Sequence, residues 1–140
     1  MAKSLRWVIV LVLVAAAAVL FVLVRMYRTD IKELKRFMAA YARFDTVLAE
    51  SALRGPGDEA ADIRRALSEL QSYSGMRISS LIKNDGELMA QVREIADLAQ
   101  KEVLTREGSP GEDPAALREK RKAAFARFME LAGTNVRDGR

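Results

Sequence analysis

Residues 7–24, "WVIVLVLVAAAAVLFVLV", decide how the rest of the chain is read. These 18 residues carry no charge, and 13 of them are Leu, Ile, Val or Phe. As a helix rising about 1.5 Å per residue they reach roughly 27 Å, near the thickness of a hydrocarbon core. At about −0.3 to −0.6 kcal/mol for each large apolar residue, insertion into lipid is favoured by roughly 4–8 kcal/mol. A cleaved leader has a shorter apolar core, roughly 7–15 residues, followed by a polar region and a small-residue cleavage site. Ala15 to Ala18 could serve a peptidase, but Val19 to Val24 prolong the apolar run with no polar region after them. The stretch therefore reads as a retained signal-anchor, a single-pass transmembrane helix behind a short tail at 1–6. No GxxxG is present, so the alanines read as filler rather than as a packing face for a second span.

The flanks support that reading. Trp7 and Tyr27 stand where aromatic rings straddle the headgroup layer, and Arg6, Arg25 and Arg28 lie just outside it, so these five are the expected interface anchors. The basic residues also bear on orientation in a cell (inner) membrane. Arg25, Arg28, Lys32, Lys35 and Arg36 follow the span, against Lys3, Arg6 and the amino terminus before it, which leans the body toward the cytoplasm. A short basic N-terminal tail that stays inside argues for the other side, and Asp30 and Glu33 dilute the second cluster.

The 116 residues after the span are enough for one small domain. Lys3 and Arg6 account for two of the four net positive charges, leaving this body at +2. So weak a field is no argument for nucleic acid as a partner. There is no cysteine, hence no disulfide and no thiol nucleophile.

Gly/Pro punctuation divides the body into helices at about 27–53, 58–83, 86–107 and 114–132. In the first, Ile31, Leu34, Met38, Tyr41, Leu48 and Ala52 recur at helical spacing, with Phe37, Phe44 and Val47 widening the stripe. This helix is expected to continue directly out of the membrane. "RGPGDE" ends it, with Gly55 as a left-handed cap, Pro56 as a block and Asp58 capping the next helix. The second carries Ile63, Leu67, Leu70, Ser74, Ile78, Leu81 and Ile82, with Gly75 as a weak point. At "KNDGEL", Asn84 followed by Glu87 matches a capping box and predicts a turn. The alternative is one long helix over 58–107. Leu88, Val92, Ile95, Ala99 and Val103 give the third helix the cleanest period, and Leu117, Ala124, Phe125, Phe128 and Leu131 mark the fourth. Gly108 ends the third, while Asp113 and Pro114 begin the fourth; Gly133 and the tail 133–140 close the chain. The expectation is an all-α fold, one N-terminal transmembrane helix followed by an antiparallel helical bundle at 25–132. Four helices make up that bundle, or three if 58–107 is continuous.

The chain has no histidine, which excludes histidine triads, histidine-ligated zinc and haem, and the Glu-x-x-His pairs of di-iron bundles. Phosphate-loop, nucleophile-elbow and dinucleotide fingerprints are missing too. Carboxylates one turn apart, Asp58 with Asp62 and Glu94 with Asp97, read as solvated faces. No catalytic, cofactor-binding or metal residue is assigned, and the chain reads as a non-enzyme. Two weaker patterns remain. Ser72, Tyr73, Ser74 and Arg77 could line a small-anion pocket around Gly75, and Arg118, Lys120, Arg121 and Lys122 of "REKRK" could meet an acidic partner. The bland readings are an exposed, loosely wound stretch and a wet helix face. The methionines Met26, Met38, Met76, Met89 and Met129 read as core filler.

In layout, a span followed by helices resembles the input half of transmembrane receptors that sense ligands through a four-helix bundle. The likeness is architectural and carries over no residues. Two functions follow as expectations: a membrane-anchored interaction or scaffold module that tethers a protein partner, with self-association as a further mode, or a small-ligand-sensing bundle that passes a helix shift to the membrane.

Overall fold

The computed structural model describes residues 2–54 and 59–138. Gly55, Pro56 and Asp58, read above as cap, block and cap, lie outside the described residues, as does the end of the tail. All the regular structure among the described residues is helical: α1 (Ala2–Arg54), α2 (Glu59–Ser72), a single 3₁₀ turn (Tyr73–Gly75), α3 (Asp85–Arg106) and α4 (Pro114–Asp138).

α1 runs unbroken for 53 residues. Its sequence explains this, since no glycine or proline occurs before Gly55. The helix has two environments. From Leu5 to Met26 its large apolar side chains are exposed, Trp7 being 70 % and Phe21 66 % exposed. From Leu34 onward the same helix supplies Leu34, Phe37, Ala40, Tyr41, Phe44 and Leu48 to the interior. One long apolar helix near the N-terminus is thus long and greasy enough to cross a membrane.

The core joins all four helices. Ala66 and Leu70 of α2, Leu88, Val92, Ile95, Ala99 and Val103 of α3, and Leu117, Ala124, Phe128 and Leu131 of α4 close on the α1 stripe. Phe37 sits at its centre, edge-on to Phe128 with centroids 4.9 Å apart and to Tyr73 at 5.9 Å. Tyr41 stacks on Phe125 with centroids 3.7 Å apart. Burying each such side chain stabilises the fold by roughly 1.5–3 kcal/mol. The α1 stripe is centred on Phe37, Ala40 and Phe44, while Met38 is half-buried and Ala52 is exposed, so the expected stripe is rotated slightly.

The second helix is shorter than expected. It stops at Ser72 instead of reaching 83, and Met76 is already extended at φ −60°, ψ 139°. The hydroxyls of Ser72 and Ser74 turn back to accept a local alternative, donating to the carbonyls of Glu69 and Gln71 at 2.6 and 2.7 Å. Tyr73 is held against Phe37, and Gly75 adds no side chain to sustain a helix. The non-helical path from Met76 to Asn84 excludes the single long helix over 58–107. Ile82 still reaches the core, but from a turn closed by its amide to the Ser79 carbonyl at 3.1 Å. Asn84 does precede α3, yet it is left-handed at φ 60° and its side chain makes no capping bond, so the expected capping box is not formed. Its carbonyl instead accepts the Leu88 amide at 2.9 Å. At the other end α4 passes through Gly133 to Asp138. A helical glycine costs only about 1 kcal/mol relative to alanine, and Leu131 and Ala132 bury immediately before it.

Candidate functional site

Two places concentrate polar chemistry: a charged knot inside the core, and the junction where α1 leaves its apolar segment. The knot is built on Arg121, which is 0 % exposed. Its Nε donates to Glu102 Oε2 at 2.9 Å and its Nη2 to Asp45 Oδ1 at 3.1 Å, so one guanidinium ties α4 to α3 and α1. The guanidinium carbon lies 5.2 Å from the Tyr41 ring centroid and 5.1 Å from that of Phe44, within cation–π range. Glu102 is also 0 % exposed. Burial opposes charge on Arg121, but Tyr41, Glu102 and Asp45 outweigh it and raise its pKa. Tyr41 is raised from 10.0, chiefly because burial disfavours the phenolate, with Arg121 pulling the other way. The polar demand is not fully met. Glu102 Oε1 and Arg121 Nη1 are buried without a hydrogen-bond partner, and Arg106 Nη2 only approaches Glu102 Oε1 at 4.0 Å. A buried, mutually paired cation and anion among aromatic rings suit the fixing of helix register better than turnover of a substrate.

Arg121 is one of the four residues of the expected acidic-partner patch, and its burial removes it from any surface patch. The helix register is the reason: with Leu117, Ala124 and Phe128 facing inward, position 121 falls on the same stripe. Of the other three, Arg118 is half-buried, Lys120 is bonded to Glu112 at 2.6 Å, and Lys122 is exposed. The Lys120 hydrogen bond is also what lowers the Glu112 pKa. Glu94 is exposed, and Asp97 is paired with Lys101 at 2.9 Å, the bond that raises the Lys101 pKa. No sequence pattern had singled out Glu102, Asp45 or Tyr41 as partners of Arg121. A usable signal existed, since Glu102 falls on the stripe of Ile95, Leu98 and Ala99 just as Arg121 falls on its own.

The expected pocket at Ser72, Tyr73, Ser74 and Arg77 is not assembled as such. Both serine hydroxyls bond to their own backbone, and Tyr73 turns to the core. Arg77 is exposed and belongs to the junction. There the segment after the 3₁₀ turn returns to α1 and is pinned by Asp30, a largely buried carboxylate that accepts the Ser79 amide at 3.1 Å and its hydroxyl at 2.5 Å. Of the interface anchors, Arg6, Trp7, Arg25 and Arg28 are exposed and Tyr27 is half-buried against the core. Met89 is buried, Met38 and Met76 are half-buried, and Met26 and Met129 are exposed, so only part of the methionine set fills the interior. No family model matches the chain, and comparison with curated proteins and with solved structures gives no match.

Proposed function

We propose that this chain is a membrane-anchored helical module that tethers a protein partner at the membrane surface, with its body an antiparallel bundle on the cytoplasmic side. One observation carries the reading. No part of the most apolar stretch of α1 is buried against the body, yet it belongs to the same unbroken helix that forms the core. Such a segment exposed to water would be a large apolar liability, and lipid relieves it. The antiparallel arrangement is supported by the order of cross-helix pairs, Glu87 with Arg127 and Glu102 with Arg121, which run in opposite directions along α3 and α4. Anchoring confines the body to two dimensions and raises the effective concentration of whatever its outer helix faces meet. The partner is another protein or a second copy of the chain.

Carbonate-washed membranes test the anchor, and photo-crosslinking from exposed positions of α3 and α4 in those membranes tests the tether. Full-length chain should stay in the pellet and yield discrete protein adducts. Extraction by carbonate would sink the anchor, and an absence of adducts would sink the tether. The sensing alternative draws support from the continuity of α1, since a helix shift in the body would be carried into the span. It requires a small molecule that raises the unfolding temperature of the chain, whereas tethering requires none.

A further inference from the structure

The junction between the apolar segment and the body holds a cleft of about 410 Å³, lined by Val22, Arg25, Met26 and Thr29 of α1 and by Arg77, Ile78 and Ser79 of the returning segment, with Asp30 at its back. That volume falls within the roughly 300–1,000 Å³ of small-molecule sites. We propose that this cleft holds the phosphodiester headgroup of a membrane phospholipid, an inference that rests on residues 7–24 spanning the bilayer.

Position is the first argument. From Val22 to Thr29 the helix rises roughly 10 Å, starting inside the last turn of the apolar run, which sets the cleft at the depth of the headgroup layer. Composition is the second. Val22, Met26 and Ile78 give an apolar side for the upper acyl and glycerol carbons, while Arg25 and Arg77 supply planar donor forks suited to phosphate oxygens. The third is availability. Among the described residues neither Arg25 nor Arg77 forms an ion pair, although many other arginines of the chain do. Asp30 in the wall is bonded to the Ser79 amide and hydroxyl and forms no ion pair with either arginine, so two guanidinium charges against one carboxylate leave the cleft net positive. Those same two bonds fix the returning segment that carries Arg77 against α1, so the second guanidinium lines the same cleft as the first. The 3₁₀ turn and extended path after Ser72 have a use in this arrangement, since a helix continuing past residue 72 would carry Arg77 elsewhere.

Native mass spectrometry of the full chain released from neutral detergent micelles tests this, with phosphatidylglycerol and diacylglycerol supplied together. The wild-type chain should retain one phosphatidylglycerol and no diacylglycerol, which lacks the phosphate. Charge-assisted bonds to two arginines should make R25Q/R77Q retain it at least roughly tenfold less. R64Q, at an exposed arginine of α2 paired with Glu107 and away from the cleft, should behave as wild type. Equal retention by R25Q/R77Q and wild type would overturn the site, as would displacement of the lipid by excess inorganic phosphate, which would make it a free-anion pocket. Incorporation of the chain into nanodiscs, read separately, distinguishes the two levels. A chain that incorporates but retains no phospholipid loses the headgroup site alone, and one that does not incorporate loses the anchor as well.

Discussion

At the scale of single residues, the buried charge knot is where small changes should have large effects. Removing one partner of a buried ion pair leaves the other charge uncompensated and costs about 3–5 kcal/mol, a large share of the roughly 5–15 kcal/mol that holds a small domain together. E102A and R121A should each lose that much in urea unfolding of the full chain in micelles. The double replacement E102L/R121M removes both charges and fills the space, so it should return to near wild-type stability. A double variant as unstable as either single one would mean that the pair contributes net attraction rather than register. D45N should lose less, about 1 kcal/mol, because the Asp45 side chain is 41 % exposed and water can replace the bond. Tyr41 gives the knot a pH dependence. The folded chain keeps the Tyr41 proton above 10.0, where the unfolded chain begins to lose it. The unfolded state then binds fewer protons, so the contribution is fully present below 10.0 and is lost as pH rises through the folded value. Alkaline unfolding curves should show this decline above pH 10, and Y41F, which keeps the stack on Phe125, should flatten it.

At the scale of the helix, the start of α3 shows what was legible in the sequence and what was not. Leu88, Val92, Ile95, Ala99 and Val103 stood out by period, and all five are buried, because a four-three-four spacing admits only one face. "KNDG" signalled a turn by composition, and a turn is there. The mode of that turn was not legible. Asn is favoured both as a side-chain cap and as a left-handed residue, and Asn84 takes the second option at φ 60°. Substitution separates the two roles. N84G should leave stability unchanged within a few tenths of a kcal/mol, since glycine adopts this conformation freely, whereas N84A should lose about 1 kcal/mol. Equal losses in thermal unfolding would point instead to the Asn84 side chain. The early end of α2 was illegible for a related reason. Ser, Tyr and Gly at 72–75 are tolerated within a helix, and the placement of Tyr73 against Phe37, far away in sequence, adds a contact that no local pattern marks.

At the scale of the whole molecule, the legible part was the division of the chain into an uncharged segment and a mixed-charge body; the candidate site at their junction was not, because it joins Arg25 to Arg77 through a fold-back that no local pattern marks. The same division carries the proposed orientation. Five basic residues follow the apolar segment within a dozen positions against Lys3 and Arg6 before it, and Arg25 and Arg28 are exposed on the helix rather than paired within the body. This excess of positive charge after the apolar segment is what supports the proposed cytoplasmic body. Because the chain has no cysteine, a single S109C substitution reports the side directly. Ser109 is exposed between α3 and α4, where its amide bonds the Leu104 carbonyl at 3.0 Å, so the side chain can be changed without loss of that bond. Intact cells treated with a membrane-impermeant maleimide should leave S109C unlabelled, and lysis should expose it at full length. Labelling in intact cells would place the body outside the cytoplasm and reverse the orientation, yet the headgroup cleft would survive that reversal, since both leaflets offer phosphodiesters at the same depth.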